Sequence, residues 1–400
     1  MEERTGLPVV AMVGGGQLAR MTHQAAIALG QSLRVLAVSA DDPAALVAPD
    51  VVLGDHRDLD ALRRAAAGAE ALTFDHEHVP GELLEKLVAE GVTVHPGPEA
   101  LRHAQDKLVM RRRLAELGEP VPPFAPVSSP ADVEAFAAEH GWPVVLKAVR
   151  GGYDGRGVWM LGSADDTART VPELLDAGTP LMVEQKVALR RELAVVLARS
   201  PFGQAAVYPT VETVQVDGIN TEVLAPAPGL SDDAAEAAEE LALRIAAALG
   251  VVGLLAVELF ETPDGRVVVN ELAMRPHNSA HWSMDGAVTG QFEQHLRAVL
   301  DYPLGSTATL RPACAMANVL GGWAAGETTM PSTGPDERLH HTLARFPEAR
   351  VHLYGKGERP GRKIGHVNVT GDDMDDVRRR ARLAADHLAT GVWTDGWSAH

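Results

Sequence analysis

Short apolar runs alternate with stretches of helical periodicity through the first quarter of the chain. Pro8–Val13 reads as a strand, Gly14-Gly15-Gly16-Gln17-Leu18-Ala19 as a turn into a helix reaching about Leu29, and Leu33–Val38 as a second strand. Asp50–Leu53, a helix over Leu59–Ala67, the strand Ala71–Phe74, a helix over 81–90 and the short strand Val92–Val94 continue the rhythm. Strands alternating with helices predict a doubly wound parallel sheet to about residue 100. Ligands of such sheets lie beyond the strand C-terminal ends, where Gln17 and Glu77 both fall. Glu77 reads equally well as an acidic residue near a helix N-terminus.

The rhythm then changes. Residues 101–117 read as one charged helix carrying Asp106, Lys107 and Arg111-Arg112-Arg113, a basic run that predicts a solvated face. A proline-rich connector over 119–130 marks a boundary, and a helix over 131–140 follows. The apolar strand Val144–Leu146 delivers Lys147; Gly151, Gly152, Tyr153, Asp154, Gly155, Arg156 and Gly157 lead into a second apolar run, Val158–Leu161. Two strands joined by a glycine-rich loop make a flap. Such a loop lets backbone N–H groups approach phosphate oxygens, although an ordinary hairpin turn has the same outline. A helix over 167–177 precedes the strand Leu181–Val183, which ends in Glu184, Gln185, Lys186 and Val187.

Beyond that point the pattern predicts antiparallel strands over 192–199, 205–209 and 211–216, with Asp217-Gly218 as a turn, and a long helix over 231–249. A strand over 251–260 and the run Val267–Val269 flank a Pro263-Asp264-Gly265 hairpin turn. A helix over 286–301 and a mixed tail complete the chain. The expected division is 1–110, 111–301 with a lid subdomain at about 126–187, and 302–400.

Composition narrows the class. At 400 residues, 46% hydrophobic and 22% charged, the chain is of ordinary globular make-up and too long for one typical core. No apolar run approaches the roughly 18 residues of a membrane span. The acidic start MEERTGLPVV predicts no secretory leader, and the lone Cys314 predicts no disulfide, so a cytoplasmic setting is expected. A formal net charge of −18 argues against gripping nucleic acid, while leaving local basic clusters free to bind small anions.

Four constellations bear on chemistry. Glu258 and Glu271 stand near one another on paired strands, and two adjacent carboxylates repel unless a cation lies between them. Mg²⁺ suits such a pair, with Asn270 as a neutral oxygen donor; exposed cross-strand pairing is the bland alternative. Lys147 leaves an apolar strand and needs an anionic partner, which a triphosphate would supply. Gly14, Gly16 and Ala19 meet the G-x-G-x-x-G/A spacing, so an NAD(P)-dependent oxidoreductase is a competing reading, as is a bare packing turn. His277 and His281 have the i, i+4 spacing of a zinc pair, but Pro276 and the lack of a third ligand motif make this weaker.

The order of a lysine strand, glycine flap, Glu-x-x-Val hinge, carboxylate and Asn-Glu pair resembles the ATP-grasp superfamily. With Gly151–Gly157, TFDHEHVP, Asn270–Trp282 and YGKGERPGRKIGH, the chain is similar to the N5-carboxyaminoimidazole ribonucleotide synthetases of purine biosynthesis. The resemblance covers most of the chain. It implies an ATP-grasp fold: an N-terminal doubly wound parallel-sheet domain, a mobile α+β lid and a C-terminal mixed α+β region. It implies ATP contacts from Lys107, Lys147, Gly152, Tyr153, Asp154, Gly155, Arg156, Gly157, Glu184, Gln185, Lys186, Val187, Glu192, Gln215, Asn270 and Glu271. Glu258 and Glu271 would hold Mg²⁺, two ions in the full site, with Mn²⁺ as a substitute. Gln17, Glu77, Tyr153, Asp154, Arg156, Arg275, His277, Asn278, Ser279, Lys356, Arg362 and Lys363 would surround aminoimidazole ribonucleotide. Asp154, Arg275 and Lys147 would be catalytic. The resemblance is inexact at Lys107, where others carry Arg, at Gln215, where some relatives carry His, and at Asp75, a position often Glu. A homodimer and a functional link to the mutase that takes the product are also implied. A related carboxylase acting on another ribonucleotide or on biotin is the nearest alternative.

Overall fold

A computed structural model describes residues 5–152, 156–322 and 333–397. The first layer is built from β1 (Val9–Val13), α1 (Gln17–Ala28), β2 (Ser32–Ala37), β3 (Asp50–Leu53), α2 (Leu59–Ala66), β4 (Ala71–Phe74) and α3 (Gly81–Ala89). Its sheet is parallel in the order β3-β2-β1-β4. Every residue of β1 is buried, because both faces are covered. Val10 and Met12 pack with Ala19 and Ala26 of α1, while Ala11 and Val13 pack with Ala61 and Leu62 of α2. The expected strand Val92–Val94 meets this sheet only through a single bridge from Val94 to Leu72.

The charged helix expected over 101–117 is two helices, α4 (Pro98–Gln105) and α5 (Lys107–Glu116). Asp106 breaks them apart by taking an extended conformation, φ −133 and ψ 106, and its carboxylate accepts the Val109 N–H at 2.9 Å. A carboxylate in that position satisfies an orphan donor of the new helix and interacts favourably with its dipole.

The second sheet contains β5 (Phe124–Val127), β6 (Val144–Ala148), β7 (Val158–Leu161) and β8 (Leu181–Gln185), ordered β5-β8-β6-β7 and antiparallel throughout. It packs on α6 (Pro130–His140) and α7 (Ala164–Asp176) through Val133, Phe136, Leu146, Val171 and Val183.

The third sheet is the largest. It takes in β9 (Arg191–Arg199), β10 (Ala205–Val207), β11 (Val211–Val216), β12 (Ile219–Ala225), β13 (Gly253–Glu261), β14 (Val267–Ala273), β15 (Ala313–Gly321), β16 (Arg350–Leu353) and β17 (Arg362–Gly371). The path is β14-β13-β9-β11-β12-β15-β17-β16, with β10 alongside β9. Helix α8 (Asp232–Ala248) covers one face. The short α9 (Ser283–Gly286) and α10 (Gln291–Val299) replace the single helix expected over 286–301. Ala287 and Gly290 are extended there, and the Ser283 hydroxyl accepts the Gln291 N–H at 2.9 Å to start the second helix. Helix α12 (Met374–Thr390) backs the C-terminal strands, and α11 (Pro335–Arg345) packs on α12. Among the described residues no helix is long and apolar enough to cross a membrane.

Candidate active site

Strands β6 and β7 form the expected hairpin, pairing Val144 with Leu161 through Lys147 with Val158. Gly152 has φ +85, and a Cβ there would lie 2.5 Å from the Arg156 carbonyl oxygen, so this bend requires glycine. Gly157 closes the loop at φ +76, and Arg156 beside it is exposed. The flap residues Tyr153, Asp154 and Gly155 lie outside the described residues.

Lys147 is 8% exposed, and its ammonium already has protein partners. Glu184 lies 2.7 Å away and Asn270 Oδ1 accepts from it at 3.3 Å. The Glu184 side chain is turned inward between Lys147 and Arg111, whose Nε donates to it at 2.5 Å. Arg111 also donates to the Asn270 carbonyl at 2.7 Å. This corrects the expectation of a solvated basic face: Arg111 is 1% exposed, while Arg112 beside it faces solvent. Burial pushes the Glu184 carboxyl up, but Arg111 and Lys147 outweigh it and hold the group below its ordinary value. Gln185 donates its backbone N–H to Pro123 at 3.0 Å, and Lys186 and Val187 continue past the strand end. Glu192, on β9, sits beside Gln215; burial raises its pKa and the Gln215 hydrogen bond opposes that.

Glu258 and Glu271 are Cα partners across β13 and β14, directly opposite one another. Glu271 meets Lys107 at 2.7 Å, and His277 Nε2 stands 3.4 Å from Glu258. Burial, then the neighbouring Glu271 and Glu192 carboxylates, raise the Glu258 pKa well above the ordinary carboxylate range. The repulsion of Glu271 and Glu192 on Glu258, beside Asn270, is an electrostatic cost that a divalent cation would relieve. The donor set suits Mg²⁺, which takes one or two carboxylates and completes its shell with phosphate oxygens and water. A zinc pair does not form. His281 Nδ1 bonds Gln291 at 2.7 Å, and no three His, Cys, Asp or Glu side chains among the described residues converge as ligands. Burial, with Arg275 and Lys363 nearby, lowers the His277 pKa to about 3, so its ring is neutral at physiological pH.

The opposite wall comes from the first sheet and β17. The glycine turn after β1 holds a protein carboxylate: Gly16 N–H donates to Asp75 at 2.7 Å. A Cβ on Gly14, at φ +113, would lie 1.7 Å from an Asp75 oxygen. The turn is thus packed around Asp75, which replaces the pyrophosphate expected by the dinucleotide reading. Gln17 and Glu77 do lie beyond β1 and β4, as the alternation predicted. Gln17 accepts from Lys356, and Glu77 pairs with Arg275 at 2.7 Å. Asn278 and Asn318 exchange two amide hydrogen bonds of 2.9 Å each. Ser279 is buried against His277 Nδ1 at 2.8 Å, so these two polar residues brace the wall. Arg362 donates to the Gly357 carbonyl at 3.1 Å, and Lys363 follows it on β17. Sequence reasoning missed Arg111 and Asn318. No periodicity marks a buried arginine on a charged helix or an asparagine in an apolar strand.

Residues 7–105 match the model of a ribonucleotide synthetase preATP-grasp domain, 112–292 that of an ATP-grasp domain, and 314–380 that of a phosphoribosylaminoimidazole carboxylase C-terminal domain. The N5-carboxyaminoimidazole ribonucleotide synthase of Mycobacterium tuberculosis is 63% identical over 393 residues, 98% of this chain and 90% of that protein. The crystal structure of the Thermus thermophilus N5-carboxyaminoimidazole ribonucleotide synthetase is similar at TM-score 0.83 and 35% identity, over 98% of this chain and 100% of that one. The Aspergillus clavatus N5-carboxyaminoimidazole synthase, solved with ADP and 5-aminoimidazole ribonucleotide, is similar at TM-score 0.83 and 32% identity, covering 95% and 98%.

Proposed function

The chain belongs to the N5-carboxyaminoimidazole ribonucleotide synthase family, and from that premise we propose how its own residues divide the work. It is an ATP-dependent ligase of purine biosynthesis that carboxylates 5-aminoimidazole ribonucleotide, with ATP bound in an ATP-grasp site. The observation that carries the residue assignment is the facing of Glu258 and Glu271, with Asn270 next to Glu271 bonded to Lys147.

In the first proposed step a bicarbonate oxygen attacks the γ-phosphorus of ATP. The bond to the β–γ bridging oxygen breaks, ADP leaves and carboxyphosphate forms. Lys147 and Arg275 would neutralise charge spreading over the phosphoryl oxygens, a task of positioning and electrostatics. Glu258 and Glu271 would hold Mg²⁺, which when bound neutralises the phosphate oxygens. In the second step the exocyclic amine bonds to the carboxyl carbon, whether still on carboxyphosphate or released as CO₂. Phosphate departs and the amine proton passes to a base. Asp154 is proposed for that proton on the strength of the family resemblance. Tyr153, Asp154 and Arg156 would meet the ribonucleotide from the flap, with Gln17, Glu77 and His277 opposite and Lys356, Arg362 and Lys363 toward its 5′-phosphate. Closure of the flap would protect carboxyphosphate from water.

The proposed division into 1–110, 111–301 and 302–400 gives the middle part the nucleotide and the outer parts the ribonucleotide. A homodimer, transfer of product to the carboxyl-moving mutase and a cytoplasmic setting are proposed with it. The buried lone Cys314 is in keeping with that setting.

The decisive experiment measures ADP release from MgATP and bicarbonate with and without aminoimidazole ribonucleotide. Strong stimulation by the ribonucleotide is expected. No stimulation, with turnover of biotin or another ribonucleotide, would move the chain to a different carboxylase.

A further inference from the structure

We infer that Arg111 is a positioning residue of the nucleotide site, keeping a positive charge available at Lys147 by sharing Glu184 with it. The inference rests on the proposed reading of Lys147 as an ATP ligand. Four residues form a closed circuit. Arg111 Nε donates to one Glu184 oxygen at 2.5 Å, and the other oxygen lies 2.7 Å from Lys147 Nζ. Lys147 donates to Asn270 Oδ1 at 3.3 Å, and Arg111 closes the ring on the Asn270 carbonyl at 2.7 Å. These residues come from α5, β8, β6 and β14, so the circuit ties one helix and two separate sheets together.

The charge count gives the circuit its use. Two cations share one carboxylate, so the cluster keeps one net positive charge beside Asn270. Were Arg111 absent, Glu184 would pair with Lys147 alone and cancel it before a phosphate arrived. A buried carboxylate with one partner would also cost more than one with two. Only the planar fork of arginine can reach the carboxylate and a backbone carbonyl in a fixed geometry; lysine offers a point charge. Helix α5 carries Lys107 one turn earlier on Glu271, so the same element sets a second cation against a carboxylate proposed to bind metal.

The test compares wild type, Arg111→Met, Arg111→Lys and the double variant Arg111→Met/Glu184→Gln. It measures MgATP affinity by titration, KM for MgATP and for the ribonucleotide, and the unfolding midpoint. Arg111→Met should weaken MgATP on the order of tenfold or more, as expected when one partner of a buried charged network is lost. The ribonucleotide KM should stay within about twofold. Arg111→Lys should recover only part of the loss. The double variant should bind MgATP more tightly than Arg111→Met, because removing the carboxylate restores the charge on Lys147. Unchanged MgATP affinity, an equal rise in both KM values, full recovery by lysine, or a double variant no better than the single one would each overturn the inference. If Arg111→Met does not fold, Arg111→Lys decides through the same pair of KM values. Wild-type protein lacking ribonucleotide-stimulated ADP release would instead remove the functional reading, and the direct titration keeps the two failures apart.

Discussion

Lys147 and Glu271 show how far a single residue can be read before its neighbours are known. An apolar strand ending in lysine announces a cation that needs a partner. The structure supplies Glu184 and Asn270. Glu271 meets Lys107 and faces Glu258, so Glu271→Gln would remove both a proposed metal ligand and the partner of Lys107. Turnover should fall by at least about a hundredfold, as for loss of a major electrostatic contributor; steady-state ADP release near the wild-type rate would take Glu271 out of that role. Asp75 offers a pH test away from the nucleotide. Burial raises its carboxyl to about 6, partly offset by the Gly16 N–H. Because the folded pKa is the higher one, protonated Asp75 favours the native state at low pH, and that advantage is lost as pH rises from about 4 through about 6. Relative to Asp75→Asn, wild type should therefore lose about 2 kcal/mol of stability across that window, since each pKa unit is worth about 1.4 kcal/mol. Urea unfolding of both proteins at two pH values bracketing the window measures it, and a constant difference would count against this assignment of the titration.

At the scale of the element, α5 is where sequence and structure part most clearly. Its charges suggested one long solvated helix, because polarity without an apolar stripe carries no sign of burial. Asp106 divides it, and two of its cations turn inward to carboxylates on other strands. Asp106 also pairs with Arg150 at 2.9 Å, immediately before the flap glycines. Asp106→Ala should cost about 1–2 kcal/mol through loss of the cap, and it should raise the MgATP KM through movement of Lys107 and Arg111. Asp106→Asn keeps an acceptor for the Val109 N–H and should retain most of the stability. Equal losses in the two variants would mean the ion pair, not the cap, sets the helix. The flap hairpin was far more legible, since alternating apolar runs about a glycine cluster have one simple solution.

Across the whole molecule, the C-terminal strands join the central sheet through β12 and β15, rather than standing apart. Asp285 on α9 bridges them: its carboxylate accepts from His352 on β16 at 2.7 Å and from Asn368 on β17 at 2.8 Å. The same β17 carries Arg362 and Lys363. Asp285→Ala should loosen this contact and raise the ribonucleotide KM several-fold, while MgATP binding stays near wild type. The opposite split would place the 5′-phosphate elsewhere than at β17.

The parallel first sheet, the flap hairpin, the Glu258–Glu271 pairing and the family were legible in the order of residues, because each depends on local period, turn chemistry or motif order. That order also located Gln17 and Glu77 at the ends of strands. Tertiary structure alone decided that Arg111 is buried, that Asp75 fills the glycine turn, that Asn278 is locked to Asn318, and that the tail extends the central sheet. Each of these depends on a partner far away in the chain. Local patterning says which residues can pair, whereas the energy of a buried charge depends on which groups the fold brings within hydrogen-bonding distance.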